Sequence, residues 1–256
     1  MHPINKWLQK NKIISKEGST RWYSVAGSCV WVPSVTSILS IVDKGEHFQK
    51  WLANTGSWEN ACKIRDTAAN RGTIVHEISE DLLNGEEVIL DAEPNIVKRV
   101  MCLEEWYKQY KPEIIMQETM LAFPGVRFAG RFDILARING KNVLIDIKTG
   151  NYYKSHDLQA TMYKILWDTI IEDIGGGKEY MIDEMYGLYL NDRWIKKSNP
   201  QYKQLKFLPE IVKGVADTWF WMNSDTRGNE PKPKTKMKLP STFKLGVEHD
   251  EIENLL

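Results

Sequence analysis

The chain has 256 residues, 34 of them basic and 34 acidic, and a formal net charge of +0. That length suits one domain, or one domain with insertions, and buries roughly 70–75% of the unfolded surface. Apolar residues at 42% and charged residues at 27% exclude a disordered chain. The even balance argues against a uniformly basic DNA-coating protein, and no run reaches the roughly 18–20 apolar residues of a membrane helix.

Met1 to Arg21 is basic but has no apolar stretch to serve as a signal peptide. Residues 20–32 alternate as a short hairpin turning at Gly27-Ser28. Ser34 is placed to N-cap a helix that starts in Pro33-Ser34-Val35-Thr36. Phe48 to Leu83 is largely helical, with one helix ending near Gly56 and another at Asn84-Gly85. Residues 95–110 form a further helix, closed before Pro112. The period then changes. Ile114 to Phe123, Arg131 to Ile138 and Asn142 to Ile147 are β-rich runs, and Asn139-Gly140 is the strongest hairpin turn in the chain. A helix from His156 to Asp173, a strand from Met185 to Leu190 and a helix from Leu205 to Met222 follow. Asn223 to Pro240 is polar and rich in Pro and Lys, as a loop or linker is. Cys29, Cys62 and Cys102 are odd in number and lie far apart. They form no disulfide framework, and a reducing, cytoplasmic compartment is expected.

The chemistry concentrates in Gly130-Arg131-Phe132-Asp133 and Asp146-Ile147-Lys148-Thr149-Gly150. Antiparallel pairing through Asn139-Gly140 brings Asp133 and Asp146 toward one sheet end, where two carboxylates suit Mg²⁺ or Mn²⁺. Asp146 and Lys148 share a strand face. An ammonium there can orient a water or stabilise charge on a reacting phosphate. Arg71-Gly72-Thr73 precedes His76, with Glu80 one helical turn on. His76 can take a metal, with Glu80 orienting it; Arg71 can meet phosphate or cap a helix. Gln159 and Tyr163 also share a helix face. Glu118 can complete a metal shell, pair with Lys148, or be a solvated strand-end residue. Taken singly, each of these has an ordinary structural reading: a cross-strand ion pair, a core histidine, a core tyrosine. Their combination and order do not.

Together these elements resemble the RecB-like exonuclease branch of the PD-(D/E)xK nuclease superfamily. Arg71-Gly72-Thr73 with His76, Gly130 with Asp133, Asp146-Ile147-Lys148-Thr149-Gly150, and Gln159 with Tyr163 carry the likeness over residues 71–163. Pro33 to Leu39 and Trp51 to Gly56 are further similar to phage-encoded and mitochondrial genome maintenance exonucleases. The resemblance implies an α/β, restriction-endonuclease-like core: a mixed central β-sheet flanked by helices, with an N-terminal helical region. It implies one nuclease domain over 1–256, divided into a hairpin and helical region (1–70), a catalytic core (71–192), and a C-terminal helix with a basic and acidic tail (193–256).

By the same resemblance, His76, Asp133, Asp146 and the Ile147 carbonyl bind one or two Mg²⁺ or Mn²⁺ ions. Lys148 is the catalytic lysine. Gln159 and Tyr163 line the site and the DNA path. Glu80 and Glu118 stand behind the metal ligands. Arg71, Arg131 and Thr149 are candidate DNA contacts. Some relatives hold an iron–sulfur cluster on four cysteines; three cysteines at unsuitable spacings predict none here. The expected activity is metal-dependent DNA hydrolysis from an end, in phage or mobile-element recombination or replication. Linear single- or double-stranded DNA is the expected partner, with a single-strand-binding or annealing protein as a candidate associate. An endonuclease on the same core and a catalytically silent DNA-binding or adaptor protein are the alternatives.

The zero charge is a cancellation. Residues 1–30 carry +4, 31–192 carry −8, 193–244 carry +8 and 245–256 carry −4. An acidic metal-binding core clamped to phosphate by basic ends, including Lys232, Lys234, Lys236 and Lys238, accounts for that pattern. Of the ten tryptophans, Trp51, Trp106 and Trp167 are expected in the core. Those toward the chain ends divide between core packing and stacking on bases.

Overall fold

The computed structural model describes residues 2–18, 20–26, 28, 30–43, 45–89, 92–190 and 201–224. Lys232, Lys234, Lys236, Lys238, Cys29 and Trp194 lie outside them, as does the tail beyond Ser224.

Helix α1 (Pro3–Lys10) opens the chain and was not expected from the sequence. Pro3 stands at its first turn, where a missing N–H costs nothing, and Ile4 and Trp7 are its buried face. Strands β1 (Ile13–Lys16), β2 (Trp22–Val25) and β3 (Val32–Pro33) form a small antiparallel sheet. The expected hairpin is β2–β3, with Trp22 opposite Pro33; β1 is an additional strand. Helix α2 (Val35–Ile38) starts as predicted, with Ser34 Oγ accepting the Ser37 N–H at 3.0 Å.

Helix α3 (Glu46–Asn54) and the long helix α4 (Trp58–Leu83) follow. Ser57 caps α4 by accepting the Asn60 N–H at 3.1 Å. Gly85, at φ +83°, ends it where an L side chain would be strained. Helix α5 (Pro94–Tyr110) closes on Lys111 in the left-handed region.

The main sheet has the order β4-β5-β6-β7-β8. Strands β4 (Glu113–Leu121), β5 (Gly130–Ile138) and β6 (Lys141–Lys148) form an antiparallel meander. Asn139 and Gly140, at φ 51° and 79°, make the tight turn that the sequence announces. Helix α6 (Lys154–Asp173) crosses back, so β7 (Glu184–Tyr189) runs parallel to β6. The edge strand β8 (Gln201–Gln204) pairs antiparallel with β7. It was not expected: the last helix, α7, is Pro209–Met222, not Leu205 onward.

Hydrophobic packing covers both sides of this mixed sheet. Val75 of α4 and Val100 and Trp106 of α5 cluster with Ile134, Ala136, Val143 and Ile145. Leu166 and Trp167 of α6, Trp219 of α7 and Trp7 of α1 cluster with Phe132, Leu135 and Leu144. This is the mixed sheet flanked by helices of a restriction-endonuclease-like α/β fold. Trp106 and Trp167 are fully buried as expected. Trp51 is not: it is half-buried, stacked on Phe48 of its own helix at the edge of a surface groove. No helix among the described residues is long and apolar enough to cross a membrane.

Candidate active site

The meander sets three carboxylates on one rung. Gln117 pairs with Ile134 and Thr119 with Phe132, so Glu118 on β4 faces Asp133 on β5. Ile134 pairs with Ile145, and the same register one residue further sets Asp133 against Asp146 on β6. Ladder pairing gives way there to a side chain: the Ile147 N–H donates to Asp133 Oδ2 at 2.6 Å. Glu118 takes φ +43° inside a strand, a left-handed geometry that costs a non-glycine residue about 1–3 kcal/mol. A register shift between Ile114 and Met116 precedes it.

Helix α4 brings His76 over this rung. Its Nδ1 lies 3.6 Å from Glu118 Oε1 and 3.8 Å from Asp133 Oδ1. Ligand atoms of His76, Glu118 and Asp133 all fall within 4.8 Å of one another. Asp146 stands outside that triplet, only 2% exposed, with Lys148 Nζ at 2.7 Å from Oδ2. That contact is an ion pair without hydrogen-bond angles, and both Asp146 oxygens are buried without a hydrogen-bond partner. A buried carboxylate held by one ion pair and no hydrogen bond, beside a histidine and two more carboxylates, fits a divalent cation well.

Burial is the largest influence on Asp133, His76, Lys148 and Tyr163. It pushes Asp133 up to about 6; Asp146 and Glu118 add to the rise, while His76 and Lys148 oppose it. Burial pulls His76 down, but Asp133 and Glu118 outweigh it and leave the imidazole above its usual value. Lys148 likewise loses to burial but gains more from Asp146 and Asp133, so its ammonium is held charged. Burial, then Asp146, raises Tyr163, which stays a neutral phenol.

His76, Glu118, Asp133 and Tyr163 line a cleft of about 540 Å³, and Asp146 and Lys148 lie behind that lining. Gln159 and Tyr163 of α6 face it one turn apart, Gln159 Nε2 donating to Tyr163 Oη at 3.3 Å. Glu80 lines the cleft too but lies outside the ligand triplet. Arg131 also lines it, with Nε 2.9 Å from Glu118 Oε2. Of the three alternatives for Glu118, pairing with Lys148 is not the one observed: Glu118 meets Arg131 and His76, and Lys148 is taken by its strand neighbour Asp146. Arg71 is in mid-helix, so it caps nothing, and its Nε is buried without a partner. Gly72 lies beside Thr149: a Cβ on Gly72 would meet Oγ1 at 3.6 Å. Ile147 reaches the cluster through its N–H.

Sequence reasoning missed one wall. Arg21, Tyr23, Ser34 and Thr36 complete the cleft. They arrive through a bridge between Ser34 and Ala129, whose backbone also bonds to Pro33 and Val35. The basic N-terminal segment and the Pro33–Leu39 resemblance were the signals that pointed to this region.

The PD-(D/E)XK nuclease superfamily profile matches residues 63–220. Among solved structures, the chain is similar to an alkaline exonuclease (LHK-Exo) from Laribacter hongkongensis, at 10% identity and a TM-score of 0.40, over 76% of this chain and 87% of that one. It is also similar to a protein named as a candidate exonuclease from Eubacterium rectale, at 13% identity and a TM-score of 0.39, over 87% and 91% of the two chains. The Laribacter protein in complex with dAMP matches at 12% identity and a TM-score of 0.29, over 76% and 93%. No curated protein matches the chain. The profile spans well over half of the sequence and includes the carboxylate rung, His76 and Lys148, so the chain belongs to the PD-(D/E)XK nuclease superfamily.

Proposed function

We propose that this protein is a metal-dependent DNA exonuclease that hydrolyses phosphodiester bonds of linear DNA. The observation that carries the reading is the rung of Glu118, Asp133 and Asp146, capped by His76 and flanked by a charged Lys148. A silent adaptor has no use for that arrangement, because three clustered carboxylates cost stability unless a cation joins them. The motif set's likeness to RecB-like exonucleases supports cutting from an end, in the setting of phage or mobile-element recombination or replication.

His76, Glu118 and Asp133 would hold one Mg²⁺ or Mn²⁺, with the Asp146 carboxylate adjoining. A bound cation would polarise the scissile phosphate and make an attacking water more acidic. The protein's own groups do the rest. The Ile147 N–H fixes the Asp133 carboxylate. The Lys148 ammonium, held charged by Asp146, stabilises negative charge growing on the phosphate as the water oxygen bonds to phosphorus and the bond to the departing sugar oxygen breaks. Tyr163 Oη accepts from Gln159, which leaves its own hydrogen to donate to a phosphate oxygen. Arg21 and Arg131, which line the cleft, would meet the phosphates, and Arg71, next to Gly72 of the lining, would join them.

The test is digestion of linear single- and double-stranded DNA, labelled in turn at each end, in Mg²⁺ and in Mn²⁺. Stepwise release from one end is expected. Cleavage of closed circular DNA would identify an endonuclease instead, and undiminished cleavage by Asp146→Ala would overturn the assignment.

A further inference from the structure

A second groove, of about 670 Å³, lies between α3 and the first half of α4. Phe48, Trp51, Trp58 and Tyr153 line it, with Arg65 and Asn151 as polar members. The Phe48 and Trp51 rings are 5.4 Å apart and inclined by 23°. Trp58 is 72% exposed, and every residue from 63 to 70 of α4 is exposed. A helix face carrying unspent aromatic surface is built to be covered by something.

The groove's position says by what. Ala68 lines the groove, and its neighbour Ala69 lines the catalytic cleft. Gly72 and His76 follow on α4 at single-turn intervals. From Ala68 to His76 the helix rises about 12 Å, the length of roughly three or four stacked nucleotides. Asn151 and Tyr153 come from the loop that leaves β6 directly after Lys148. Trp58, Ala61, Arg65 and Ala68 of the groove and Ala69, Gly72 and His76 of the cleft recur at three- and four-residue spacing, so the two are consecutive stretches of one face of α4. Aromatic rings beside a guanidinium are what unpaired bases stack on. A protein partner's apolar face would not need to run on into a metal-binding cleft.

We infer that this groove is a track for single-stranded DNA, with bases stacked on Trp51 and Trp58 while the phosphate to be cut lies at His76 and Asp133. The inference rests on the DNA-cleaving reading for the identity of the strand, but its test does not depend on cleavage. Anisotropy of a labelled single-stranded oligothymidylate, titrated with the full-length protein in Ca²⁺, measures binding directly. Trp58→Ala should raise Kd about fivefold or more, the low end of one lost stacking contact, and Trp58→Phe should restore most of it. An oligonucleotide that is abasic over its nucleotides nearest the reacting end should bind the unmodified protein at least as weakly as Trp58→Ala binds the normal one, because it loses the Trp51 contact as well. The abasic probe should lose nothing further in the variant.

Trp58 lies mostly in solvent, so the variant retains its fold; a thermal melt checks this. Equal Kd values for the two proteins, or a Trp58→Ala loss that persists undiminished with the abasic probe, would overturn the track. So would sedimentation showing a dimer that Trp58→Ala dissolves, since the groove would then be a protein interface. If the unmodified protein cuts no DNA at all, the nuclease reading fails separately, and the anisotropy comparison still decides the groove.

Discussion

The ring of Tyr163 occupies the space that a side chain on Gly130 would need: a Cβ built there falls 2.7 Å from Tyr163 Cε1 and 3.4 Å from Val35 Cγ2. The glycine of Gly-x-x-Asp is therefore a seat for the tyrosine of Gln-x-x-x-Tyr, and the two motifs are one device. Gly130→Ala should push the phenol from the cleft and destabilise the fold by about 1–3 kcal/mol. Cleavage should fall with it. A double-mutant cycle checks the cause: in a Tyr163→Ala background the alanine should cost little. Full additivity of the two changes would refute the contact.

Glu118 supplies a second prediction, since its backbone at φ +43° is strained whatever its side chain does. Comparing Glu118→Gly with Glu118→Ala isolates that strain, because both delete the carboxylate. The glycine variant should be more stable than the alanine variant by about 1 kcal/mol, and a chemical denaturation series measures the gap. Both should bind metal more weakly than the unmodified protein, as judged by calorimetric titration with Mn²⁺. Equal stability of the two variants would mean that the left-handed geometry is not retained.

Much of this was legible in the chain. Asn139-Gly140 announced the hairpin, Ser34 and Asn84-Gly85 the helix ends, and the motif order the site. What escaped depends on tertiary pairing. Strand β8 is Gln-Tyr-Lys-Gln, with no apolar alternation, and exists because β7 offers it an edge. Strand β1 buries one residue of four. Glu118 could be a ligand, an ion-pair partner or a solvated residue until the shift between Ile114 and Met116 fixed what it faces. Trp51 has the spacing of a core residue, but no spacing reveals that it stacks on Phe48 of its own helix and lines a surface groove instead.

Lys148 and Asp146 form a nearly buried pair, so removing either partner strands the other. Lys148→Ala should abolish cleavage and also lower stability by about 2 kcal/mol, the usual loss for a broken buried pair discounted for the lysine's partial exposure. The double variant Asp146→Asn/Lys148→Met, similar in volume and without charge, should recover most of that stability and none of the activity. Thermal melts beside the cleavage assay separate the two effects. Failure of the double variant to outlast Lys148→Ala on heating would show that the pair does not carry this energy.

Asp133 gives the pH dependence. Its folded value, about 6, lies above the ordinary 3.8. Between those values the folded protein keeps a proton that the unfolded chain has lost, so the metal-free fold loses stability as pH rises through that window. Metal binding runs the other way, because Asp133 and His76 must both be deprotonated to serve as ligands. His76 is itself raised above 6.5. The gain in Tm on adding Mn²⁺ should therefore be small near pH ~5 and large near pH ~8. Asp133→Asn keeps an acceptor for the Ile147 N–H but removes the charge. In metal-free buffer near pH ~8 it should melt higher than the unmodified protein, by about 2–4 °C for each kcal/mol relieved, and its Tm should not respond to Mn²⁺. A lower metal-free Tm for Asp133→Asn would show that the ionised carboxylate stabilises the fold, contrary to its raised pKa.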